Sequence, residues 1–409
     1  MQRARPPNVS PGDDTVARDA RPRPALLYVA TVSATVAQFL TPYATHYRAM
    51  GWRVDAATGH DRWDSAVEDA FDRRHDIPWS RSVRDAGRLP RAASSLLSIM
   101  ENGYDIVHVH TPIAAFVTRA ALRRMDPARR PAIVYTAHGF HFHAGGAALA
   151  NAVFLGLEKI AGRWTDRLIV INEEDERAAR RHHLVPPDRL VRMPGIGIDT
   201  GVYAPSALPA DAVAVARSSA GIPLDVPLFV VVGELNIGKR PHDVVRALGR
   251  LRHQDAHVAF LGQGPERDHL LRVARRAGVL NRVRFPGFVP DPRPFEAGST
   301  AVILASSREG LARSVMEGLA LEIPVIASTA RGNAELVGEV GGFVFQIGDI
   351  GTLASRMDWL IEHPVDRIEM GRRGRQRMIA RYELRHLLNL HDGLYEEILA
   401  ARPAASPDS

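Results

Sequence analysis

The chain has 409 residues, of which 45% are apolar and 24% charged, proportions that are ordinary for a globular protein of two or three domains. It contains 52 Lys and Arg against 46 Asp and Glu, and the resulting net charge of +6 allows anionic partners but selects none of them. Cysteine is absent, which excludes disulfide scaffolds, Cys-ligated zinc, iron–sulfur clusters and a cysteine nucleophile.

The sequence carries no signal for membrane insertion or export. It has no run of about 18 apolar residues, so no transmembrane helix is predicted. The first 24 residues contain Arg but no apolar stretch, and a secretory signal is not expected. We therefore predict a cytoplasmic protein. Because residues 1–24 are polar and rich in Pro, Asp and Arg, we predict that they form a disordered tail.

In the first half of the chain, short apolar and β-branched segments alternate with segments of helical periodicity. In chain order, the pattern predicts strands at residues 26–30, 53–57, 105–110, 132–136 and 167–171. The predicted helices are residues 35–50, 90–102, 113–125, 147–160 and 173–183. Apolar strands separated by helices are typical of a parallel sheet covered on both faces.

A second series of the same kind follows a turn-rich stretch at 194–201 and an Ala-, Ser- and Pro-rich stretch at 204–226. Its predicted strands are 228–232, 257–261, 283–285, 301–305, 324–328 and 342–345, and its predicted helices 241–253, 265–277, 312–321, 351–362 and 365–380. We predict two doubly wound, Rossmann-like α/β domains, residues 25–203 and 227–381, joined by a linker at 204–226. A last helix, 382–401, is predicted to pack back across the junction. The ligand is expected in the cleft at the carboxyl ends of the strands.

The strongest chemical signal directly follows the predicted strand 301–305. Glu309 stands in the loop at the end of that strand, and Glu317 lies eight residues later, more than one turn into the next predicted helix. A strand, turn and helix in this order point the first N–H groups of the helix at the cleft, which suits a phosphate. The two carboxylates would then accept hydrogen bonds from a sugar and a ribose. Taken alone, the spacing favours a capped, solvated helix start with incidental acids.

In its context, this segment resembles the donor-site motif of the family 4 retaining glycosyltransferases, which have the GT-B fold. Further segments resemble the same family, namely PGIGIDTGVY at 194–203, VVGELNIGK at 231–239, FLGQGPERDHL at 260–270, VRFPGFVPD at 283–291 and PVIASTARGNAELV at 324–337. In the first half, YDIVHVHTPIAAFVTR at 104–119, YTAHGFHFHAGG at 135–146 and INEEDERAA at 171–179 resemble the subgroup that builds exopolysaccharide, capsule and related lipid-linked glycans. The resemblance covers roughly residues 25–400.

The resemblance implies a role for each matching residue. It implies that Glu309 holds hydroxyls of the donor sugar, Lys239 neutralises the leaving diphosphate, and His138 contacts the sugar from the amino-terminal domain. The backbone amides of residues 311–313 would receive the diphosphate, and the turn at 287–289 would flank the base. The implied donor-binding residues are Gly233, Arg240, Gly262, Gly264, Phe288, Gly310, Leu311, Ala312, Arg313 and Glu317, of which Glu317 would bind the ribose, and the implied acceptor-binding residues are Thr35, His110 and Arg81.

No metal site is predicted. Many transferases hold a divalent ion with an Asp-x-Asp element, and no such element stands at a predicted strand end of this sequence. Lys239 and the helix amides are interpreted as the metal-free substitute, because cations and N–H dipoles stabilise a dianionic leaving group. His138, His141 and His143 suggest a metal cluster as an alternative. No spaced carboxylate completes that cluster, so we interpret the loop as a sugar or acceptor contact.

Several positions depart from the family pattern or have two readings. Residues 31–35 replace a Gly-Gly turn, Ala312 replaces a proline, and Glu234 stands where many members have an arginine, so Arg240 is suggested as a second cation.

The stretch 73–91 contains six Arg with Trp79 among them. It fits an anionic lipid surface or a lipid diphosphate, and equally a solvated loop.

We expect a retaining hexosyltransferase that moves a sugar from a nucleotide-diphosphate donor, with UDP as the nucleotide, to a lipid-linked saccharide in cell-surface polysaccharide synthesis. Domain closure over the donor, peripheral contact with the inner face of the membrane and independence from metals and other cofactors are expected with it. One alternative is an NAD-dependent oxidoreductase, since Gly262 and Gly264 follow a strand, although the third glycine is lacking. A sugar-nucleotide epimerase or a phosphorylase on the same fold is a second alternative. A nucleic-acid-binding protein is a third, without a supporting motif.

Overall fold

The computed structural model describes residues 23–59, 63, 65–79, 87, 89–143 and 145–402. The predicted disordered tail falls outside these residues except for its last two, and Arg81 also lies outside them. Within the described residues, no helix has both the length and the apolar composition needed to cross a bilayer.

The described strands form two parallel sheets. They are β1 (Ala25–Val29), β2 (Arg53–Thr58), β3 (Arg73–Asp76), β4 (Ile106–Val109), β5 (Ala132–Ala137), β6 (Arg167–Val170), β7 (Leu190–Arg192), β8 (Leu228–Val232), β9 (His257–Leu261), β10 (Val283–Gly287), β11 (Ala301–Leu304), β12 (Val325–Ser328) and β13 (Gly342–Phe345). The first sheet has the order β3-β2-β1-β4-β5-β6-β7, and the second has the order β10-β9-β8-β11-β12-β13.

Helices connect the strands and cover the sheets. They are α1 (Ser33–Thr35), α2 (Thr41–Ala49), α3 (Ser65–Glu68), α4 (Leu89–Met100), α5 (Pro112–Leu122), α6 (Ala148–Gly162), α7 (Glu173–His182), α8 (Ala212–Ser219), α9 (Pro241–Leu248), α10 (Arg267–Arg276), α11 (Arg293–Ala297), α12 (Arg313–Ala320), α13 (Asn333–Val337), α14 (Ile350–Glu362), α15 (Pro364–Tyr382) and α16 (Leu384–Ala400). A π-helical turn (Val36–Leu40) joins α1 to α2, and short 3₁₀ turns complete several connections.

Burial on both faces explains the apolar strands. In β1, Leu27 and Val29 enter one hydrophobic cluster, whereas Leu26 and Tyr28 enter another on the opposite face. Successive side chains of a strand point to opposite faces, so a strand covered by helices on both sides is apolar throughout. The two sheets each have their own clusters, which makes two hydrophobic cores rather than one.

Each sheet contains a point where the winding reverses, between β1 and β4 in the first sheet and between β8 and β11 in the second. The loops after such strands separate and leave a crevice at the carboxyl edge. In the first sheet, the backbone N–H of Thr31 donates to Thr111 Oγ1 at 2.8 Å. In the second, the backbone N–H of Ser307 donates to the carbonyl of Gly238 at 2.8 Å. Loops from both sheets line one cavity, so the two crevices face each other.

The chain passes between the two domains twice, and the two passages lie side by side. Ile198, on the first, receives a hydrogen bond from Leu384 N at 3.0 Å and donates to the Tyr382 carbonyl at 2.8 Å. After the second passage, α16 returns to the first sheet, where Tyr395 and Leu387 join the cluster of Leu26 and Tyr28.

The structure contains elements that the apolar pattern did not predict. The strands β3 and β7 form the two edges of the first sheet. The sequence of β3 is RRHD, whose side chains are mostly exposed, so its pairing with β2 leaves no hydrophobic signal. The span 204–226, predicted as a linker, contains α8, whose Ala216 packs with Leu228 and Phe295 of the second domain.

Candidate active site

Two adjoining cavities lie between the carboxyl edges of the sheets. The larger has a volume of about 790 Å³ and is lined by three cationic side chains, those of Lys239, Arg308 and Arg331. The smaller has a volume of about 270 Å³ and is lined from the first domain by Thr35 and His138. Arg308 lines both cavities, so it marks their junction. The larger cavity therefore suits an anion.

Lys239 and Glu309 meet in this cleft as an ion pair. Lys239 Nζ lies 2.6 Å from Glu309 Oε1, and the two side chains are 32% and 11% exposed. Lys239 ends a 3₁₀ turn after β8 that Asn236 caps, with Asn236 Oδ1 accepting from Lys239 N at 3.0 Å. Glu309 is brought to it by the loop after β11. The carboxylate and the ammonium thus come from the two strands that flank the reversal of the second sheet.

The amino terminus of α12 presents free backbone donors beside Glu309. Within the described part of the chain, the N–H groups of Leu311, Ala312 and Arg313 meet no hydrogen-bond acceptor. The first turn of α12 contains no acidic residue to neutralise them. Gly310 precedes them, and a Cβ at that position would collide with the carbonyl oxygen of His138. The close approach of the two domains therefore requires glycine at this point.

Two histidines, His110 buried and His138 half-buried, stand on the opposite wall. His110 follows β4, His138 follows β5, and His110 Nδ1 lies 3.1 Å from His138 Nε2. The His138 ring also stacks on Phe39, with the ring centroids 5.7 Å apart. Burial lowers the pKa of His138 to about 4 and the pKa of His110 well below its usual range. Both rings are therefore neutral at pH 7.

The hydrogen bond between these rings needs one proton, and the surroundings favour His110 as its donor. His110 Nε2 is buried and has no hydrogen-bond partner among the described residues. A proton on that atom would be an unpaired buried N–H, a rarer and costlier defect than an unpaired acceptor. We therefore assign the proton of His110 to Nδ1. His138 then accepts at Nε2 and carries its own proton on Nδ1.

Glu317 lies one turn into α12 and is held by two donors. Tyr203 Oη and Arg313 Nε each donate to Glu317 Oε1 at 2.7 Å. No described residue donates to Glu317 Oε2. Arg313 also reaches the first domain, where its guanidinium donates to the carbonyl of Gln38. The carboxylate is thus fixed in orientation and keeps one oxygen for a ligand.

Arg331 ties the second domain to the first. Its guanidinium donates to Asp175 Oδ1 at 2.6 Å, to the Phe140 carbonyl at 3.0 Å and to the Phe142 carbonyl at 3.0 Å. The side chains of Arg331 and Asp175 are 5% and 1% exposed. Arg331 follows β12 and its partners follow β5 or lie in α7, so these hydrogen bonds close one side of the cleft.

Comparison with known proteins agrees with this architecture. The family model Glycosyltransferase Family 4 matches residues 36–201, and the model Glycosyl transferases group 1 matches residues 214–377. EpsD of Bacillus subtilis (strain 168), which is named as a glycosyltransferase, is 32% identical over 375 residues, 90% of this chain and 95% of that protein. This chain belongs to the family 4 glycosyltransferases. The resemblance noted in the sequence is confirmed, and the matches do not support the oxidoreductase or epimerase alternatives.

Other relatives and solved structures extend the comparison. The UDP-Gal:alpha-D-GlcNAc-diphosphoundecaprenol alpha-1,3-galactosyltransferase of Escherichia coli is 26% identical over 260 residues, 62% of this chain and 65% of that enzyme. Anabaena Alr3699/HepE in complex with UDP and glucose superposes with a TM-score of 0.78 at 19% identity, covering 92% of this chain and 100% of that one. A glycosyltransferase from Rickettsia africae ESF-5 superposes with a TM-score of 0.78 at 17% sequence identity, covering 93% of this chain and 99% of that one. These structural likenesses confirm the GT-B fold expected from the sequence.

The structure brings six of the implied site residues of this glycosyltransferase to the lining of these two cavities. Thr35, His110, His138, Glu309 and Gly310 line the smaller cavity, and Lys239 lines the larger. Gly262 and Gly264, which follow β9, lie against the loop after β8 and do not line either cavity. A Cβ on Gly262 would collide with the carbonyl of Gly233, and a Cβ on Gly264 would collide with the carbonyl of Leu235. Their roles in donor binding remain predictions.

Two further implied donor residues lie apart from these cavities. Phe288 is 71% exposed, on the turn after β10. Arg240 Nε donates to the buried Asp243 at 2.6 Å, so the guanidinium is already paired within its own segment. The contribution of Arg240 as a second cation remains a prediction, whereas Arg308 is a cation that lines both cavities.

Sequence reasoning did not single out Arg308, Arg331, Asp175 or Tyr203. Each of them lies inside a segment that carried the family resemblance, so the resemblance marked the regions but not these side chains. Arg308 directly precedes Glu309, and its exposure beside two cavities is evident only in three dimensions. Among the described residues, no group of three or more His, Asp or Glu side chains is arranged to hold a metal ion.

Proposed function

We propose that this glycosyltransferase moves a hexose from a UDP-linked donor to a lipid-linked saccharide with retention of the anomeric configuration. One observation carries the donor half of the proposal. Lys239 and Glu309 form an ion pair of 2.6 Å beside the unpaired amides of α12, in a cleft lined by further cations. The relatives support the choice of substrates, because HepE was crystallised with UDP and the Escherichia coli enzyme is named for UDP-Gal and a diphosphoundecaprenol acceptor.

The donor fits the cleft through its charges. The diphosphate accepts hydrogen bonds from the amides of Leu311, Ala312 and Arg313, which carry the partial positive charge of the helix terminus. Lys239 pairs with the same diphosphate and thereby leaves Glu309. The released carboxylate accepts hydrogen bonds from hydroxyls of the donor sugar. Glu317 uses its remaining oxygen for the ribose.

Departure of the diphosphate leaves positive charge on the anomeric carbon and negative charge on the phosphate. Lys239 and the helix amides stabilise the leaving group without a metal ion, because their dipoles and charge are fixed before the reaction. His138, neutral and protonated on Nδ1, donates to a sugar hydroxyl from the opposite wall. The leaving phosphate oxygen takes the proton of the acceptor hydroxyl on the same face, and the configuration is retained.

The acceptor enters through the smaller cavity, between Thr35 and the loop of Glu309. Radiolabelled UDP-sugars offered with a lipid extract test the reaction, and a labelled lipid product is the expected result. A product of inverted configuration at the new linkage would contradict the retaining mechanism. Absence of transfer from every UDP-sugar, with transfer from a GDP-sugar, would contradict the choice of nucleotide.

Two substitutions with opposite effects test the exchange of ion pairs. Lys239→Ala should weaken UDP binding by roughly 10- to 100-fold, the equivalent of about one charge-assisted hydrogen bond. Glu309→Gln should leave UDP binding unchanged or tighter, since Lys239 loses its competing partner, while transfer falls by about 100-fold or more. For UDP binding, Lys159→Ala is the matched control, because the chain has only two lysines and this one is exposed on α6. Equal losses of UDP affinity in both cleft variants would show that the pair merely supports the fold.

A further inference from the structure

The outer face of α6 is apolar. Leu149, Val153, Leu157 and Ile160 are 80%, 53%, 36% and 46% exposed. Their spacing of four, four and three residues places them along one side of the helix, and we call them the α6 stripe. On the opposite side, Phe154 and Leu155 pack against the core of the first domain. A water-facing helix normally has polar residues where this stripe stands, so the stripe requires an explanation.

The charges around the α6 stripe are positive. Lys159 and Arg163 are exposed at its carboxyl-terminal end. Arg181 of α7 is also exposed, and it lies near Lys159, because burial and the charges of Lys159 and Arg181 together lower the pKa of His182. The only carboxylate of α6, that of Glu158, is turned inward and accepts from Arg119 NH2 at 3.0 Å. The stripe therefore combines exposed apolar side chains with cations and offers no exposed anion.

We propose that the α6 stripe docks on an anionic phospholipid bilayer, with the helix lying in the plane of the headgroups. A helix of 15 residues provides a contact about 22 Å long. The apolar side chains enter the interface, and Lys159 and Arg163 reach phosphates of the same leaflet. A second copy of this chain is a poorer occupant, because it would bring the same cations to the contact without a carboxylate to pair them.

This surface differs from the stretch 73–91, for which contact with an anionic lipid surface is one interpretation of the sequence. Arg73 and Arg74 lie in the edge strand β3, where Arg73 donates to Asn102 and Arg74 pairs with Glu68 and Asp76. Residues 80–86 and 88 lie outside the described part of the chain. Arg73 and Arg74 are thus engaged with the protein, whereas no described residue covers the α6 stripe.

The position of α6 connects docking to the cleft. Asn151 Nδ2 donates to the His143 carbonyl at 2.7 Å, and the rings of Phe154 and His141 lie 5.2 Å apart. His143 lines the larger cavity and His141 the smaller. A bilayer against α6 therefore lies beside the rim of both cavities. This last step, and only this step, rests on the proposed lipid-linked acceptor, which would reach the cleft without leaving the membrane.

Co-sedimentation of the full chain with vesicles tests the docking. We expect binding to vesicles of equal parts phosphatidylglycerol and phosphatidylcholine, and at least tenfold weaker binding to phosphatidylcholine alone or at raised salt. The triple variant Leu149→Gln, Val153→Gln and Ile160→Gln should lose about tenfold or more in partition coefficient. The control pair Val365→Gln and Ile368→Gln, on α15, removes side chains that are 79% and 50% exposed and should bind as the unchanged chain does.

Three results would overturn the proposal: no binding to anionic vesicles, equal binding by the triple variant, or a dimer in sedimentation velocity that the triple variant abolishes. Circular dichroism and UDP affinity of the triple variant should match the unchanged chain, which excludes misfolding as the cause of lost binding. Loss of vesicle binding in the triple variant together with absence of any transfer activity would sustain the docking surface and refute the proposed function. Transfer activity of a chain that binds no vesicles would sustain the proposed function and refute the docking surface.

Discussion

Arg331 contributes a buried ion pair to the contact between the two domains, and replacing it should weaken that contact and open the cleft. The substitution Arg331→Met keeps most of the side-chain volume and removes the guanidinium. It deletes the ion pair with Asp175 and the donors to the carbonyls of Phe140 and Phe142. Burial raises the pKa of Asp175, and Arg331 opposes that shift, so the carboxylate loses its main compensating charge in the variant.

The size of the effect follows from the burial of this pair. Removing one partner of a buried ion pair costs about 3–5 kcal/mol. Asp175 keeps two other donors, Asn172 Nδ2 at 2.7 Å and Phe140 N at 3.3 Å, which argues for the lower end of that range. A loss of about 3 kcal/mol changes the ratio of closed to open molecules roughly 150-fold. Because each sheet has its own core, we expect the domains to separate rather than unfold.

Small-angle scattering and hydrogen exchange measure this opening. Arg331→Met should show a larger radius of gyration and faster amide exchange at residues 139–142, while the strands of both sheets stay protected. Arg373→Met is the matched control, since that side chain is 56% exposed and pairs only with Glu369 among the described residues. Unchanged scattering and unchanged exchange at 139–142 in Arg331→Met would refute the inference that Arg331 holds the domains together on this side of the cleft.

The paired histidines give two further predictions. The amide of His110→Asn keeps an N–H near the position of Nδ1, whereas the amide of His110→Gln does not. His110→Asn should therefore retain most of kcat and His110→Gln should lose it, with the KM for the donor little changed in both variants. Equal kcat values in the two variants would contradict the assigned tautomer of His138. Acidification should also destabilise the fold, because burial lowers the pKa of His138 and His391 to about 4 and the pKa values of His108 and His110 well below the usual range. Near pH 5 the unfolded chain binds protons that the folded chain does not, so the free energy of unfolding should fall by about 3–5 kcal/mol per pH unit as the pH decreases. Urea midpoints at pH 7, 6 and 5 measure this slope, and equal midpoints would contradict it.

The sequence was sufficient to predict those strands whose apolar composition is determined by burial. Strands such as β8, with the sequence LFVVV, are covered on both faces and are therefore recognisable as apolar runs. The edge strand β3 consists of Arg73, Arg74, His75 and Asp76, and its place in the sheet is set by backbone pairing with β2 rather than by apolar side chains. A strand of this composition cannot be predicted from the pattern of apolar residues.

The same distinction applies to the candidate site. Glu309 and Lys239 belong to motifs that are continuous in sequence, and their neighbours identify them. Arg331 and Asp175 are 156 residues apart and become partners only when the two domains meet. Their residue types are ordinary for exposed positions, and only the burial of both side chains reveals their function. Contacts between separately wound domains are therefore the part of this protein that a single sequence conveys least.

Tyr203 links the donor site to the place where the chain crosses between domains. Its hydroxyl holds Glu317, while its carbonyl accepts from Arg375 NH1 at 2.9 Å, next to the passage at Ile198. In the proposed donor complex a ribose shares the Glu317 carboxylate with Tyr203, so donor binding is expected to act on the segment that crosses between the domains. Arg331 acts on the opposite side of the cleft. We therefore predict that a donor which engages Glu317 reduces hydrogen exchange at the crossing segment even in the Arg331→Met variant.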